Sequence, residues 1–438
     1  MDGGILLILF AIFAGLLIIG IPISASLLIS SLSVSFLLPA FPADPGFIFR
    51  TMVTVLDSTP MLAVPLFIFA GNIMAQGGLS GKLFDLFAYS LGNKTGGMPV
   101  AVIITTFFYG SFVGSAPSTV AAVGVMTIPL LVSLGYNKAF SVALITVASS
   151  FSIILPPSVP LVLYGITVGT SVGDLFIAGI LPAIVAAVVM IIYVVLYFKI
   201  KGGEDKEKLM TNYNRLHEKG LVRVFRESIF ALLSPVIILG GIYGGIVTPT
   251  EAANISVIYS ILICVFVYKT LKPKDILSIM TSTVRTLATV LLIISAATVF
   301  GRVLMLLQAP QQVSRALIEI TQGSDVMLIL FILAFLIIFG LFMEPAAVIL
   351  IASPIFFPIV TTGIGMDPVH FGIVLIFTSA VGFVTPPVGM SLFVATSISG
   401  LPVLKIAKHA VPFLLLLVFV MMFIVFIPEI SLFLVPGR

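Results

Sequence analysis

Charge is what this sequence has least of. Asp, Glu, Lys and Arg make up 9% of its 438 residues, whereas a soluble domain carries about a quarter. Hydrophobic residues account for 60%, and no segment is long and polar enough to form a second, water-soluble domain. A chain of this composition has lipid as its solvent. Its one cysteine, Cys264, lies inside an apolar run, which excludes an internal disulfide, and nothing around it suggests a metal site. Tryptophan is absent, so Tyr and Phe must mark the membrane interface. The three histidines, His217, His370 and His409, are expected in loops or at span ends, and neither His-Glu-x-x-His nor Gly-x-Gly-Asp occurs. An intramembrane protease or lipid transferase needs a nucleophile–base pair or paired acids. Without them the chain reads as a non-enzyme. The net charge of +4 does not point to nucleic acid, because the basic residues sit in short connections between apolar runs.

What is present is a succession of apolar stretches long enough to cross a bilayer. Spans are predicted over 3–20, 22–40, 51–75, 139–170, 176–198, 229–247, 250–268, 279–306, 368–398 and 409–434. The first lacks a basic leader and a small-residue cleavage site, so it reads as a retained span. Stretches 98–133 and 326–361 differ, each being about 36 residues with small or polar residues at its middle. Half of such a stretch, about 16 residues, reaches only ~24 Å of a ~30 Å hydrocarbon core. Both therefore read as re-entrant helical hairpins with tips inside the membrane. Lysines and arginines crowd the 199–228 and 269–276 loops, which places both in the cytoplasm. Counting back puts the N terminus outside, where Met1-Asp2 is not basic, and Lys82, Lys94, Lys138, Lys405 and Lys408 inside. Arg50 and Arg315 fall outside on the same count. The first hairpin then enters from the cytoplasm and the second from the opposite face.

The chain also repeats itself. Ile154-Leu155-Pro156-Pro157-Ser158 aligns with Val384-Thr385-Pro386-Pro387-Val388 at an offset of 230 positions. Gly71 and Gly301, Gly135 and Gly365, and the hairpin tips at Ser115 and Pro345 keep the same register. The expected fold is an all-α polytopic membrane protein of two inverted repeats. The first is 1–198, the second 229–438, and 199–228 is the cytoplasmic connection. Secondary transporters use inverted repeats and place their sites at the midplane between them.

Each predicted repeat pairs a hairpin with a span broken by Pro-Pro. Proline lacks an amide proton and clashes with the preceding turn, so the helix must open. Open backbone is tolerated at membrane depth only when buried in protein or lining a cavity. Freed carbonyls there can ligate a cation, while half-helix N-termini can face a carboxylate. The first repeat offers Ser111, Ser115, Ser118, Thr119, Ser152 and Ser158; the second offers Thr385 and the carbonyls near Gly340 and Gly382. One cation site per repeat is expected. The competing explanation is a pair of kinked helices whose hydroxyls bond back to their own turns. Glu344, at the second tip, is open to cation coordination, indirect substrate binding, proton transfer or helix capping. Glu251 fits a capping box with Thr248 before a helix starting at Pro249. Arg302 reads as an arginine snorkelling from an apolar span, with attraction of an anionic solute as the alternative. Asp57 reads as interfacial. Segments 79–92 and 311–322 are matched, short and amphipathic, suited to lie in the interface as braces.

Four stretches together carry a family resemblance. They are Pro60 to Asn72, Gly110-Ser111-Phe112-Val113-Gly114-Ser115, Thr248-Pro249-Thr250-Glu251-Ala252-Ala253, and Val384-Thr385-Pro386-Pro387-Val388-Gly389. In this order the sequence resembles the large membrane subunit of tripartite ATP-independent periplasmic (TRAP) transporters along essentially its whole length. The resemblance implies an elevator, in which two hairpins and two broken helices slide against a scaffold in a bacterial inner membrane. It implies sodium-driven uptake of acidic solutes such as C4-dicarboxylates, keto acids, sugar acids or sialic acid. Expected partners are a periplasmic substrate-binding protein and a small four-helix membrane subunit, here a separate polypeptide because the chain opens on the large-subunit pattern. No cofactor is expected, with sodium as the coupling ion. The implied cation ligands are Gly340, Gly382, Thr385 and Val388 in the second repeat, and Gly110, Ser115, Ser152 and Ser158 in the first, joined by Ser111, Gly114 and Pro156. Leu155 stands where the second repeat has Thr385, so the first site must lean on carbonyls and Ser115. The substrate set is Ser118, Thr119, Pro157, Glu344, Ala346 and Pro387. The rival of the same fold is a binder-independent carboxylate symporter or cation/proton antiporter; a proton antiporter would place more titratable groups in the core.

Overall fold

The computed structural model describes residues 3–38 and 41–437, and every regular element among them is helical. Met1-Asp2 and the end of the predicted 22–40 span lie outside the described residues. The chain opens with α1 (Gly3–Ile18) and α2 (Ile23–Leu37). Where one span was predicted over 51–75, two helices occur, α3 (Pro45–Leu56) and α4 (Ala63–Gln76). The interruption is local. Pro60 has no amide to donate, exposed Asp57 ends α3, and Thr59–Leu62 makes a 3₁₀ turn into α4.

The amphipathic α5 (Leu79–Leu91) leads into the first hairpin, α6 (Gly97–Val113) and α7 (Ala116–Ser133). The first broken helix is α8 (Lys138–Ser152) and α9 (Val159–Val168), followed by α10 (Val172–Lys201). The predicted 199–228 loop is mostly helix. α10 runs into it, α11 (Lys206–Glu218) fills its middle, and α12 (Leu221–Tyr243) starts inside it. Lysine content suggested a loop, but Leu209, Asn212 and Leu216 recur at helical spacing and are buried, and Asp205 caps α11 through the Lys208 amide at 3.2 Å. Glu204, just ahead, accepts from the Gly96 amide at 2.7 Å and the Tyr136 hydroxyl at 2.8 Å. The connection is thereby tied to both outer turns of the first hairpin.

The second half contains α13 (Pro249–Ile261), which widens into a π-helical turn at Leu262–Val267, and the long α14 (Pro273–Leu306). Next come α15 (Ala309–Thr321) and the second hairpin, α16 (Asp325–Phe342) and α17 (Pro345–Pro358). The second broken helix is α18 (Pro368–Val384) and α19 (Met390–Ser399), and α20 (Val403–Phe426) and α21 (Glu429–Leu432) end the chain. Helix bounds keep the sequence register of 230. Leu79–Leu91 falls on Ala309–Thr321, and α8 and α18 begin at Lys138 and Pro368. Their N-caps also correspond. Asn137 accepts from the Ala139 and Phe140 amides at 2.9 and 3.1 Å, and Asp367 from those of Val369 and His370 at 2.7 and 3.2 Å.

Among the described residues, eight helices are long and apolar enough to cross a membrane. Leu7, Val188, Ile192, Leu196, Leu415 and Phe419 stand exposed on them and on α1, as lipid-facing residues do. The protein is a multi-pass membrane protein. Three hairpin arms, Ala116–Ser133, Asp325–Phe342 and Pro345–Gly363, are among the eight. The arms are thus longer than half-stretches of about 16 residues, at 1.5 Å per residue, and length alone does not keep them from spanning.

Two glycine crossings lock each hairpin to its broken helix. α6 meets α8 where a Cβ on Gly110 would stand 1.8 Å from the Ser152 hydroxyl oxygen. α16 meets α18 where a Cβ on Gly382 would stand 2.5 Å from the Ile337 carbonyl oxygen and 2.8 Å from the Gly340 Cα. The halves also interleave, with α7 packed on α19 and α17 on α9. A Ser150–Ser391 hydroxyl pair at 3.0 Å and the Tyr164 hydroxyl donating to the Pro368 carbonyl at 2.6 Å join the broken helices. Outside this inner group, α4 packs on α13, and α14 on α2 and α3.

Gly110→Ala is expected to overpack the first crossing and destabilise the folded protein by about 1–3 kcal/mol. Ser152→Gly in the same chain removes the opposing side chain and should recover most of that loss. Thermal unfolding of the single and double variants in nanodiscs checks this, and additive effects would show that the two residues do not meet.

Candidate functional site

Both hairpin tips face one cavity of about 240 Å³. The first tip contributes residues 114–118, because Gly114 turns the chain with φ of +63° and α7 then starts at Ala116 with Pro117 in its first turn. A side chain at Gly114 would meet Val159 at 2.9 Å, so the turn lies directly on the start of α9. The second tip contributes Glu344, Pro345 and Ala346, and the first break adds Ile153, Val159 and Pro160. The remaining wall comes from Ile68 and Asn72 on α4 and Thr286 and Val290 on α14.

The structure sorts the expected substrate residues. Ser118, Glu344 and Ala346 line the cavity, together with Gly114 and Ser115 from the expected cation set. Thr119, Pro157 and Pro387 do not. Thr119 is buried and its hydroxyl donates to the Ser115 carbonyl at 2.9 Å, and it lies 3.3 Å from where a Gly110 Cβ would stand. It belongs with the Gly110–Ser152 crossing. Pro157 is buried and Pro387 exposed, although both follow a cis Pro-Pro bond. The first break is thus enclosed, while the second has Thr385, Pro386 and Val388 only half-buried.

Three hydroxyls of the expected cation sets bond back to their own turns, and that of Ser158 bonds across the break. Ser111 donates to Phe108 at 2.8 Å, Ser152 to Ser149 at 2.7 Å, and Thr385 to Val381 at 2.6 Å. Ser158 donates to the Ile153 carbonyl. These bonds use the hydroxyl protons and leave the oxygen lone pairs. In the second repeat, the Thr385 amide donates to the Gly382 carbonyl at 3.0 Å, and the Ser379 carbonyl oxygen lies 3.0 Å from where a Gly340 Cβ would stand. Gly340, Gly382 and Thr385 are therefore brought together, as are Gly110 and Ser152. Val388 and Pro156 sit on the breaks, in 385–389 and 153–158.

Glu344 precedes α17, and its backbone carbonyl accepts from Ala347 and Val348 at 2.9 and 3.2 Å. Its side chain makes no capping bond. Capping thus does not occupy this carboxylate, in contrast to Glu251. That residue accepts from the Thr248 amide at 2.7 Å, while its own amide donates to the Thr248 hydroxyl at 3.3 Å. The N-termini of α7, α9 and α17 all border the cavity, and none carries a side-chain cap. First-turn amides and the helix dipoles place partial positive charge there, which suits an anion.

Asn72, the last residue of the Pro60 to Asn72 stretch, and Thr286 were not among the expected site residues. The signal for Asn72 is a lone amide inside an apolar span; it donates to the Thr283 hydroxyl at 2.9 Å and joins α4 to α14 at the cavity wall. Each histidine lies in a helix, and His370 stands at a span end as expected. His217 is on α11, His409 on α20, and buried His370 is in the first turn of α18 with its Nδ1 3.1 Å from the Ser431 hydroxyl.

The comparisons with known proteins agree along most of the chain. The sequence model described as "Tripartite ATP-independent periplasmic transporter, DctM component" matches residues 10–430. The isethionate TRAP transporter permease protein DctMQ of Oleidesulfovibrio alaskensis is 37% identical over 428 residues, 97% of this chain and 66% of that protein. The chain therefore spans just under two thirds of that relative's length. The C4-dicarboxylate TRAP transporter large permease protein DctM of Pseudomonas aeruginosa is 34% identical, covering 85% of each chain. The ectoine TRAP transporter large permease protein TeaC of Halomonas elongata is 33% identical, covering 98% of each. In fold, the chain is similar to the YdaH transporter of Alcanivorax borkumensis, with a TM-score of 0.66 at 13% identity over 93% of this chain and 98% of that one. It is also similar to MtrF of Neisseria gonorrhoeae, with a TM-score of 0.60 at 14% identity over 86% and 83%. These relatives are transport permeases rather than enzymes, and the chain belongs to the DctM family of tripartite ATP-independent periplasmic transporters.

Proposed function

We propose that this protein carries out sodium-coupled uptake of a small acidic solute across the bacterial inner membrane by an elevator movement. The solute is of the C4-dicarboxylate, keto acid, sugar acid or sialic acid type. It is received from a periplasmic binding protein, and a small four-helix subunit braces the scaffold. The observation that carries this reading is the single cavity bordered by both hairpin tips, the first break, and α4 and α14. Two hairpins from opposite halves of the chain converge on one small space, where Ser115, Ser118, Asn72, Thr286 and Glu344 stand among otherwise apolar walls. The half-helices divide the work by dipole. The N-termini of α7, α9 and α17 attract the acid group, and carbonyls at the C-terminal ends of α6, α8, α16 and α18 ligate sodium.

Two inverted repeats joined at 199–228 account for the register of the helix bounds, and place the two sodium sites on Gly110, Ser115, Ser152 and Ser158 and on Gly340, Gly382, Thr385 and Val388. The elevator reading has support in how polar contacts divide. Asn72–Thr283, Thr250 to the Thr59 carbonyl and Ser295 to the Met52 carbonyl link the outer helices to one another. Ser150–Ser391, Tyr164 to Pro368 and His370–Ser431 link the inner ones. Between the groups α4 packs on α6, with Gly71 against the Phe112 carbonyl, and α14 packs on α17, with Gly301 against Pro354; no hydrogen bond found among the described residues joins either pair. Such a boundary slides more cheaply than one that must break hydrogen bonds at each step. Sodium fixed at the crossings would hold each hairpin against its break, so that the empty-sodium form closes poorly on solute.

In proteoliposomes holding the protein and its small subunit, uptake of labelled solute is expected to need an inward sodium gradient and added binding protein. Equal uptake without the binding protein would instead favour the binder-independent symporter. Thr385→Val keeps shape but removes one oxygen, and should raise the sodium concentration for half-maximal uptake about tenfold, the loss expected for one bond to a charged partner. Melting temperature without sodium should hold. An unchanged sodium dependence would take Thr385 out of the site.

A further inference from the structure

A second space, of about 300 Å³ and open where Arg302 and Met305 are exposed, lies farther along the walls of the cavity at the hairpin tips. The same three helices border both. α9 contributes Val159 and Pro160 to the first and Leu163 and Thr167 to the second. α17 contributes Ala346 and then Leu350, and α14 contributes Val290 and then Thr298 and Arg302. From Val290 to Arg302 the path along α14 is about 18 Å at 1.5 Å per residue. Its far end carries the lone charged group of the second space, the Arg302 guanidinium. Among the described residues that guanidinium makes none of the ion pairs found, which join Lys208 to Asp205, Lys219 to Asp85 and Arg223 to Glu227. The two threonine hydroxyls donate to their own helices, Thr167 to Leu163 at 2.7 Å and Thr298 to Ile294 at 2.9 Å. Arg302 is thus the donor left for a ligand.

We propose that this second space is an outer waiting site, where Arg302 holds the acid group of the solute before it reaches the hairpin tips. The proposal rests on the uptake reading and on the charge pattern that puts the end of α14 outside. A guanidinium at an apolar mouth offers two parallel donors to a carboxylate or sulfonate. The apolar walls supplied by Leu163 and Leu350 leave the rest of the ligand with only the Thr167 and Thr298 hydroxyl oxygens as polar neighbours, so the hold is weak enough to release inward. A simple snorkelling arginine would meet lipid phosphate instead, the same chemistry from another source.

Thr298 lies one turn before Arg302 on the same face of α14, half-buried at the wall. Thr298→Cys therefore provides a probe, with buried Cys264 as the unreactive background thiol. The full chain in phosphatidylcholine nanodiscs is labelled with an anionic sulfonatoethyl or a cationic trimethylammonium methanethiosulfonate reagent. The anionic-to-cationic rate ratio is expected to fall about tenfold on adding Arg302→Gln, as for one charge within several ångströms, and to be kept by Arg302→Lys. Succinate or isethionate should slow anionic labelling when Arg302 is present and not when it is glutamine. An unchanged ratio, or protection by phosphatidylglycerol but by neither small anion, overturns the proposal. The labelling needs no transport, so sodium-independent uptake would overturn the uptake reading while leaving the anion site standing.

Discussion

Backbone amides and carbonyls cannot be left bare in hydrocarbon, and the rest of this structure follows from where that rule is suspended. Four helical segments stop inside apolar sequence, at Gly114-Ser115, over 153–158, at Met343-Glu344 and over 385–389. At the hairpins a turn does this, and at the broken helices the double proline. Each opening needs protein around it, and the chain supplies it by packing the openings against one another. α7 on α19 and α17 on α9 are the contacts that do so. The cavity at the tips is the space left where such openings meet.

The two halves meet this constraint with unequal means. Where the first crossing has Gly110 against Ser152, the second has Gly340 against Gly382, so one brings a hydroxyl and the other only backbone. The first break is enclosed and opens onto the cavity, while Pro387 in the second is exposed. The hydroxyl of Thr385 stands in the second half where the first has Leu155. Equivalent register with different side chains gives the two crossings different oxygen supply, so the two sodium sites proposed there would differ in strength.

Charge is used as sparingly as the composition demands. Within the tip cavity Glu344 is the one ionisable lining residue, and three helix N-termini provide the opposing partial charge. A fixed lysine or arginine there would hold an acid tightly and release it slowly. Helix dipoles attract an anion without a full counter-charge to desolvate. Full positive charge appears instead at Arg302, at the far end of the adjoining space.

Much of this was legible in the sequence because the signals are local. The lengths of apolar runs, the missing amide of proline and the register of Pro156-Pro157 with Pro386-Pro387 determined an all-helical membrane protein with hairpins and interrupted helices. The Thr248–Glu251 capping box was readable for the same reason. Local signals also misled where tertiary contacts outweighed them. Lysine density suggested a loop at 199–228, but Leu209 and Leu216 found a surface to bury against and the segment became helix. The span expected over 51–75 divided at Pro60. Tertiary structure alone decided that both tips share one cavity, that Asn72 and Thr286 form its wall, and that the Glu344 carboxylate is left uncapped. Those outcomes depend on residues hundreds of positions apart, such as Ser115 and Glu344, coming together. Conformational preference along the chain specifies where a helix must open; only close packing of the whole specifies what the opening faces.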